Sequence, residues 1–268
     1  MAVPSDSEAM GFRYLDQIAS RKNIQEFLEL ADLAAGGGDS AENVFRLSHR
    51  LRDSKPMRLC ERVLHRDPAS AALIAERRLV GPYDIDTLKA CPKGSLGHTY
   101  AVVMETIGYD INFFPDPAYF ANLETDADYI NYRVYATHDI HHILSGFSLD
   151  NFGETGVISI SVGQFNHPGL GFVDLIDLLL QFLLNETPFD EATSPKQQAH
   201  TAGYVFHMIG HGLEMAAQAK PLFPVLWEER FEQDLEELRN ELGIKAVREG
   251  AFSWYSNPEI AAALGCSQ

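Results

Sequence analysis

The chain has 268 residues, 46% of them hydrophobic and 22% charged, and carries a formal net charge of −17 at pH 7. That length suits a globular protein with a sizeable core, and the strongly negative charge argues against binding to nucleic acid. The three cysteines, Cys60, Cys91 and Cys266, are odd in number and far apart, which argues against a disulfide framework or a cysteine zinc site and favours a reducing compartment.

The N-terminal segment, residues 1–40, is predicted to form a helical arm that ends in a loop. Gly36, Gly37 and Gly38 make this loop the clearest helix-breaking stretch in the chain. Residues 46–78 then carry nine basic and four acidic side chains, a local charge of +5. We interpret them as solvated helix faces, and contact with a phosphate or a lipid headgroup is the alternative.

Two long amphipathic helices are predicted in the rest of the chain. The first runs from Asp126 to Leu144 and is followed by Gly146, a typical C-terminal stop. Its apolar stripe contains Ile130, Val134, Thr137, His141 and Leu144. The second runs from Pro224 to Leu242, and its stripe contains Trp227, Phe231, Leu235, Leu238 and Leu242.

Three further helices are predicted between these two. Residues 156–165 are rich in valine and isoleucine, but no partner strand is evident nearby, so we interpret them as helix. Residues 170–184 are strongly apolar yet contain Asp174 and Asp177, which favours a buried helix or one lying on a membrane surface over a membrane-spanning one. The third helix covers residues 196–219.

These patterns predict a mainly α, single-domain, multi-helix bundle-like fold. Within it, residues 41–250 would form a helical metal- and lipid-binding domain, and residues 251–268 a C-terminal tail.

The candidate metal ligands begin with His138, Asp139 and His142. At about 100° per residue, the two histidines lie about 40° apart and Asp139 shares their flank of the helix. Glu154 follows in the first turn of the next helix, which we expect to return antiparallel. Nitrogen and oxygen ligands together indicate a divalent metal, with zinc, magnesium, manganese, cobalt and iron left open.

Each of these residues also has a structural interpretation. Residues 151–154 fit a capping box in which Glu154 returns to the cap amide, and Asp139 fits an exposed helix position. His141 points onto the apolar stripe and is interpreted as a core residue.

A second candidate site lies on the helix predicted over residues 196–219. His207 and His211 repeat the one-turn spacing, and Glu214 adds a carboxylate. They share an arc of about 80° with His200 and Tyr204. The alternatives are the polar side of an amphipathic helix or one cavity lined by both sites, and the spacing alone does not separate them.

The residues from His138 to Glu154 resemble the HDxxH-x11-E signature of the coenzyme Q biosynthesis protein 4 family. Residues 91–100 resemble that family's Pro-x-Gly-Ser/Thr-x-Gly-x-x-Tyr element, and residues 228–244 are similar to its C-terminal helix. Arg133, Gln164 and Pro168 also fall at matching positions. The likeness covers roughly residues 60–245.

This resemblance implies a mainly helical protein of quinone synthesis whose metal set is His138, Asp139, His142 and Glu154. It also implies binding of polyprenylated intermediates at a membrane surface, alongside other quinone-biosynthesis proteins. Oxidative decarboxylation of the quinone ring, with hydroxylation at the vacated carbon, is the reaction it suggests. Tyr135 stands where the family commonly has a second arginine, which would change the head group that is accepted.

Two hypotheses for function follow. In the first, the protein is a metal-dependent oxidative decarboxylase, a lyase acting on polyprenyl hydroxybenzoates. In the second, it is a non-catalytic scaffold that presents isoprenoid or prenyl-phosphate ligands to partner enzymes. In both, the expected lipid-binding residues are Tyr135, Leu175, Leu178, Leu179, Phe182 and Leu183. A phosphohydrolase is a more distant third, since HD pairs also occur in that class.

The expected location is the cytoplasm, with peripheral contact to the inner membrane. The sequence shows neither a signal peptide nor a transit peptide pattern. A homodimer is also an expectation, because the helix predicted over residues 224–242 is long and amphipathic.

Overall fold

The computed structural model describes residues 20–36, 41–112, 123–184 and 202–265. Within these ranges the regular secondary structure is helical, apart from two isolated bridges, so the predicted mainly α fold is confirmed. The helices are α1 (Arg21–Ala35), α2 (Ala41–Leu51), α3 (Lys55–Leu64), α4 (Pro68–Glu76), α5 (Ile85–Lys89), α6 (Leu96–Ile107), α7 (Asp126–Ser145), α8 (Asn151–Phe165), α9 (Pro168–Leu184), α10 (Ala202–Gln218), α11 (Leu235–Leu242) and α12 (Pro258–Leu264).

The helix that carries the two candidate histidines, α7, has clear signals at both ends. The Thr125 hydroxyl accepts a hydrogen bond from Asp128 N, and the Asp128 carboxylate accepts one from Thr125 N, which forms a capping box. Gly146 ends the helix in the left-handed conformation at φ 82°. The predicted helix from Asp126 to Leu144 is therefore confirmed.

The three helices predicted between the long ones are helical wherever the structure describes them. Residues 156–165 belong to α8, and residues 170–184 belong to α9. The predicted helix over residues 196–219 corresponds to α10, while residues 196–201 lie outside the described part of the chain.

The predicted helix from Pro224 to Leu242 is wrong. The chain forms a 3-10 turn over Trp227–Glu229, and α11 begins only at Leu235. The carbonyls of Phe231 and Gln233 accept hydrogen bonds from the first amides of α6, Gly97 N at 2.8 Å and Leu96 N at 2.9 Å. Pairing with α6 therefore replaces the continuous helix that the apolar spacing favours, although the stripe residues are all buried.

The core is built around α7, whose two halves belong to different apolar clusters. Ile140, Ile143 and Leu144 pack in the larger cluster with residues of α6, α8, α10 and α11. Tyr129, Ile130 and Val134 pack in a second cluster with residues of α3, α4 and α9. The candidate histidines thus stand on a helix that contributes to both apolar clusters.

The helix that carries Glu154, α8, is held against α10 by close contact of their backbones. A side-chain carbon at Gly212 would lie 2.3 Å from the carbonyl oxygen of Gly156, so only glycine allows this approach. Glu154 lies two residues before that contact, in the first turn of α8. In the described residues, no helix combines the length and the apolar character needed to cross a membrane.

Candidate metal centre

The helices α7 and α8 bring His138, His142 and Glu154 together. The Nε2 atom of His138 lies 2.8 Å from Glu154 Oε1, and that of His142 lies 3.1 Å from Glu154 Oε2. The two Nε2 atoms are 3.1 Å apart. Among the described residues, this is the group of at least three metal-binding side chains whose donor atoms all lie within 4.8 Å of one another.

These spacings fit a shared divalent cation. Ligand atoms about 2.0–2.2 Å from a tetrahedral zinc ion are separated by roughly 3.3–3.6 Å, somewhat more than the 2.8–3.1 Å between these three donors. Glu154 uses one carboxylate oxygen for each histidine. The residues present therefore fit a metal held by two imidazoles and one carboxylate, with room for an exogenous ligand.

The imidazole of His142 is oriented by the loop between α7 and α8. Its Nδ1 atom lies 3.3 Å from the carbonyl oxygen of Phe147. Because a carbonyl only accepts, Nδ1 carries the hydrogen, which leaves Nε2 to face Glu154 and His138. His142 is buried at 1% exposure, so this ring has little freedom to turn.

The charges of the cluster stabilise one another. Burial disfavours a charged imidazole, but the Glu154 carboxylate outweighs it and raises the pKa of His138 to about 9. Burial likewise disfavours the Glu154 carboxylate, yet the charge of His138 and the hydrogen bonds from both histidines hold its pKa well below the usual range. The cluster therefore holds a protonated imidazole beside an ionised carboxylate. A metal cation that bound here would displace the imidazole protons.

Asp139 lies beside this group and is not one of the three convergent donors among the described residues. Burial raises its pKa, while His138 and His142 act in the opposite direction. Burial and then the Asp139 charge raise the pKa of the Tyr100 phenol. A direct metal bond from Asp139 stays a prediction.

His141 is a core residue, as its helical angle predicted. It is 5% exposed, and its ring packs edge-on against Trp227 with centroids 5.8 Å apart. Burial, with the nearby His138 and His142, lowers its pKa to about 3, so it is neutral.

The predicted lipid-binding residues fall in two different environments. On α9, Leu175, Leu179, Phe182 and Leu183 are 51%, 37%, 50% and 63% exposed; Leu178 is half-buried. Tyr135 instead packs against Phe45, with centroids 4.8 Å apart, and its hydroxyl is hydrogen-bonded to Ser48 of α2.

The second candidate site does not gather three donors within 4.8 Å in the described part of the chain. The rings of His207 and His211 lie 4.7 Å apart and both pack near Phe252. Glu214 is exposed and accepts a hydrogen bond from Gln218 at 3.2 Å. His200 lies outside the described residues, and metal binding at this stripe stays a prediction.

Several polar contacts behind the cluster have no motif that sequence reasoning could find. Thr155, next to Glu154, donates to Asp177 of α9 at 2.9 Å, and Ser159 donates to Asp174 at 2.8 Å. The two pairs recur at helical spacing on α8, but their partners are 22 and 15 residues away in the chain. Only the packing of α8 on α9 reveals them.

The buried guanidinium of Arg133, five residues before His138, is part of the scaffold. Its Nε and Nη2 atoms donate to the carbonyls of Phe223 and Val225, each at 2.7 Å. It therefore ties α7 to the segment before α11.

Comparison with known proteins identifies the family of the chain. Residues 43–248 match the model of the family described as coenzyme Q (ubiquinone) biosynthesis protein Coq4. The chain is 28% identical over 208 residues to a mitochondrial ubiquinone biosynthesis protein COQ4 of Clavispora lusitaniae, covering 76% of this chain and 59% of that protein. It is 29% identical over 168 residues to a mitochondrial COQ4 homolog of Aedes aegypti, covering 62% of this chain and 54% of that protein.

The fold also has a counterpart among solved structures. A crystal structure from Nostoc punctiforme PCC 73102, described as a candidate ubiquinone biosynthesis protein, aligns with a TM-score of 0.66 and 24% identity, over 83% of this chain and 97% of that one. The chain spans less than two thirds of the length of the two COQ4 relatives. The family match covers most of the chain, from α2 to the segment after α11, and includes all three convergent ligands. The chain therefore belongs to the coenzyme Q (ubiquinone) biosynthesis protein Coq4 family.

Proposed function

We propose that this protein binds the head group of a polyprenylated quinone precursor at the His138, His142 and Glu154 cluster and accommodates the isoprenoid tail along α9. The observation that carries the proposal is the convergence of three metal-binding side chains one helix away from an exposed apolar face. The COQ4 relatives are named for ubiquinone biosynthesis, which makes a quinone precursor the ligand class of choice.

A divalent metal held there would supply Lewis-acid chemistry, polarising the oxygens of a phenol-carboxylate head group. His138 and His142 hold the nitrogen side of the site, and Glu154 supplies a charge that offsets part of the metal's own. The Phe147 carbonyl keeps the His142 ring turned toward the site. Asp139, on the same flank of α7, is suited to accept a hydrogen bond from a ring hydroxyl.

The tail would lie along the apolar face of α9. Thr155, adjacent to Glu154, is hydrogen-bonded to Asp177 at 2.9 Å, so this helix passes directly behind the metal cluster. Of the exposed apolar residues of α9, Leu175 precedes Asp177, whereas Leu179, Phe182 and Leu183 follow it within two turns. At about 100° per residue, they lie on the side of the helix opposite Asp177. Each buried methylene contributes about 0.8 kcal/mol, so a long tail would dominate affinity.

The activity that fits this arrangement is oxidative decarboxylation of a polyprenyl hydroxybenzoate, in which the ring carboxyl leaves as CO2 and one atom of O2 becomes the hydroxyl at the vacated carbon. An external two-electron donor would reduce the other oxygen atom to water. The second candidate function is a lipid-presenting scaffold. It is favoured by the exposure of the α9 face, since a tail left open to solvent or membrane is accessible to a partner enzyme. Both functions place the protein at a membrane surface, next to other enzymes of quinone synthesis.

The test measures binding and turnover of a polyprenyl hydroxybenzoate by metal-loaded protein, under air and with an added two-electron donor. Glu154→Ala is expected to abolish turnover if the protein is an enzyme. Leu183→Glu is expected to weaken binding of the tail, whereas Leu79→Glu is its matched control, because Leu79 is 62% exposed and Leu183 63%. Leu79 lies on the segment between α4 and α5.

The outcomes separate the two functions. Turnover in wild type that disappears in Glu154→Ala supports the enzyme. Binding without turnover, retained by metal-free protein, supports the scaffold. Equal loss of binding in the Leu183 and Leu79 variants, or no binding by any form, would refute the proposed tail site.

A further inference from the structure

The chain after α11 folds back over the C-terminal end of α7. We call residues 247–254 the C-terminal brace. Three backbone hydrogen bonds join the brace to the end of α7 and the following loop: Val247 N to Ser145 O at 2.8 Å, Ser148 N to Phe252 O at 2.8 Å and Trp254 N to Gly146 O at 3.1 Å. The brace therefore pairs with the loop that connects the two ligand-bearing helices.

Two contacts carry the brace as far as His142. The indole Nε1 of Trp254 donates to the His142 carbonyl at 3.0 Å. Ser253 lies opposite Phe147 in an isolated antiparallel bridge, and the Phe147 carbonyl accepts the hydrogen bond from His142 Nδ1 at 3.3 Å. One contact thus fixes the backbone of His142, and the other fixes the direction of its ring.

His142 lies in the last turn of α7, directly before the carbonyls that end the helix, and its own carbonyl accepts the helical hydrogen bond from Gly146 N at 3.0 Å. The last four carbonyls of a helix lack partners within the helix, so their positions depend on groups from outside it. The His142 carbonyl accepts a second hydrogen bond, from Trp254 Nε1, besides the one from Gly146 N. The buried Arg239 donates to the carbonyls of Ile143 and Leu144 at 2.6 and 2.8 Å.

We propose that the C-terminal brace positions His142 as a metal ligand, with Trp254 as its principal positioning residue. This inference rests on the proposed function, since it concerns the same metal cluster. The family match ends at residue 248, so most of the brace lies beyond the part of the chain that the family pattern covers.

The two tryptophans of the chain provide a matched pair of variants. Trp254→Phe keeps an aromatic ring and removes the N–H group that reaches His142. Trp227→Phe is the control: Trp227 is also fully buried and touches α7 through His141. Its Nε1 has no hydrogen-bond partner within the described residues, so the substitution removes no bond to α7.

The experiment titrates the purified full-length proteins with Zn²⁺ in competition with a chelator and records the visible absorption of the Co²⁺ forms. Trp254→Phe is expected to weaken metal affinity by about 10–100-fold, the usual effect of losing a group that orients a ligand, and to change the Co²⁺ spectrum. Trp227→Phe is expected to keep the affinity and the spectrum of wild type. Equal affinities and spectra in all three proteins, or equal losses in both variants, would overturn the inference.

A second variant covers the case in which Trp254→Phe does not fold. Ser253→Ala removes the hydrogen bond from Ser253 Oγ to the Val247 carbonyl, which measures 2.9 Å, and leaves Trp254 in place. We expect a smaller loss of affinity in the same direction, and no loss would contradict the role of the brace. If wild-type protein binds neither Zn²⁺ nor Co²⁺, the proposed metal function itself is refuted. If wild-type protein binds metal and the variants bind it equally well, only the role of the brace is refuted.

Discussion

At the scale of single residues, the most unusual group outside the metal cluster is Asp174. It is 6% exposed and accepts one hydrogen bond, from Ser159. Its Oδ1 atom is buried without a hydrogen-bond partner in the described residues. Burial is the main cause that raises the pKa of Asp174 to about 8, so at neutral pH this carboxyl is protonated.

The pKa of Asp174 predicts a pH dependence of stability. The unfolded chain releases this proton above about pH 4, while the folded protein keeps it up to about pH 8. The folded state therefore binds more protons in this window, and stability falls as pH rises from about 4 to 8. Asp174→Asn removes this dependence, so its melting temperature is expected to decline less than that of wild type between pH 5 and pH 9.

Thermal unfolding followed by circular dichroism across this pH range would check the prediction. Other groups also titrate there, so the relevant quantity is the difference between the two curves. Parallel curves for wild type and Asp174→Asn would show that Asp174 is ionised in the folded protein.

At the scale of elements, the loop between α7 and α8 determines how the histidines meet Glu154. Gly146 opens this loop with φ 82°. A side-chain carbon at Gly146 would lie 2.1 Å from the carbonyl oxygen of Val247. The loop can therefore lie against the C-terminal brace only with glycine at this position.

A pair of glycine substitutions separates backbone strain from steric overlap. Gly108 ends α6 with φ 75°, and an added side-chain carbon there meets nothing within 4 Å. Gly108→Ala should lower the free energy of unfolding by about 1–2 kcal/mol, because a non-glycine residue is then held in the left-handed conformation. Gly146→Ala should cost clearly more and should also weaken metal binding, because the brace must move. Urea unfolding and a Zn²⁺ titration of both variants would test this. Equal losses of stability and of metal affinity in the two variants would show that Val247 can move aside at no cost.

The same elements show what the sequence could and could not predict. The boundaries of α7 follow from local signals, a cap near Thr125 and a glycine at 146, and the spacing of His138 and His142 follows from helical geometry. The start of α11 has a local signal, the Asp234 cap that accepts from Glu236 N and Glu237 N, which the continuous apolar stripe outweighs. The break before it also depends on α6, whose first amides donate to the carbonyls of Phe231 and Gln233. No local signal encodes such a pairing.

The candidate site divides in the same way. The convergence of His138, His142 and Glu154 was predictable, because the two histidines are one turn apart on one helix and the family signature adds the glutamate. The bond from Trp254 to His142 joins residues 112 positions apart, and the bond from Ser159 to Asp174 crosses from α8 to α9. Contacts of this kind arise from tertiary packing, which the linear pattern does not contain.

At the scale of the whole molecule, α7 joins the two main apolar clusters and presents its histidines between them and α8. The apolar face of α9 stays exposed in a chain whose net charge is −17. An exposed apolar surface on an acidic protein is typical of a site that another apolar body covers. We propose that the apolar face of α9 is covered by the isoprenoid tail or by the membrane that contains it.

Our proposal is that His138, His142 and Glu154 hold a divalent metal. It is tested most directly by the metal content of purified protein, measured by mass spectrometry for wild type, His138→Ala/His142→Ala and His207→Ala/His211→Ala. We expect about one divalent metal per chain in wild type and in the second pair, and almost none in the first pair. Metal that survives in the first pair and disappears in the second, or wild type that takes up no metal even when it is supplied, would contradict the claim.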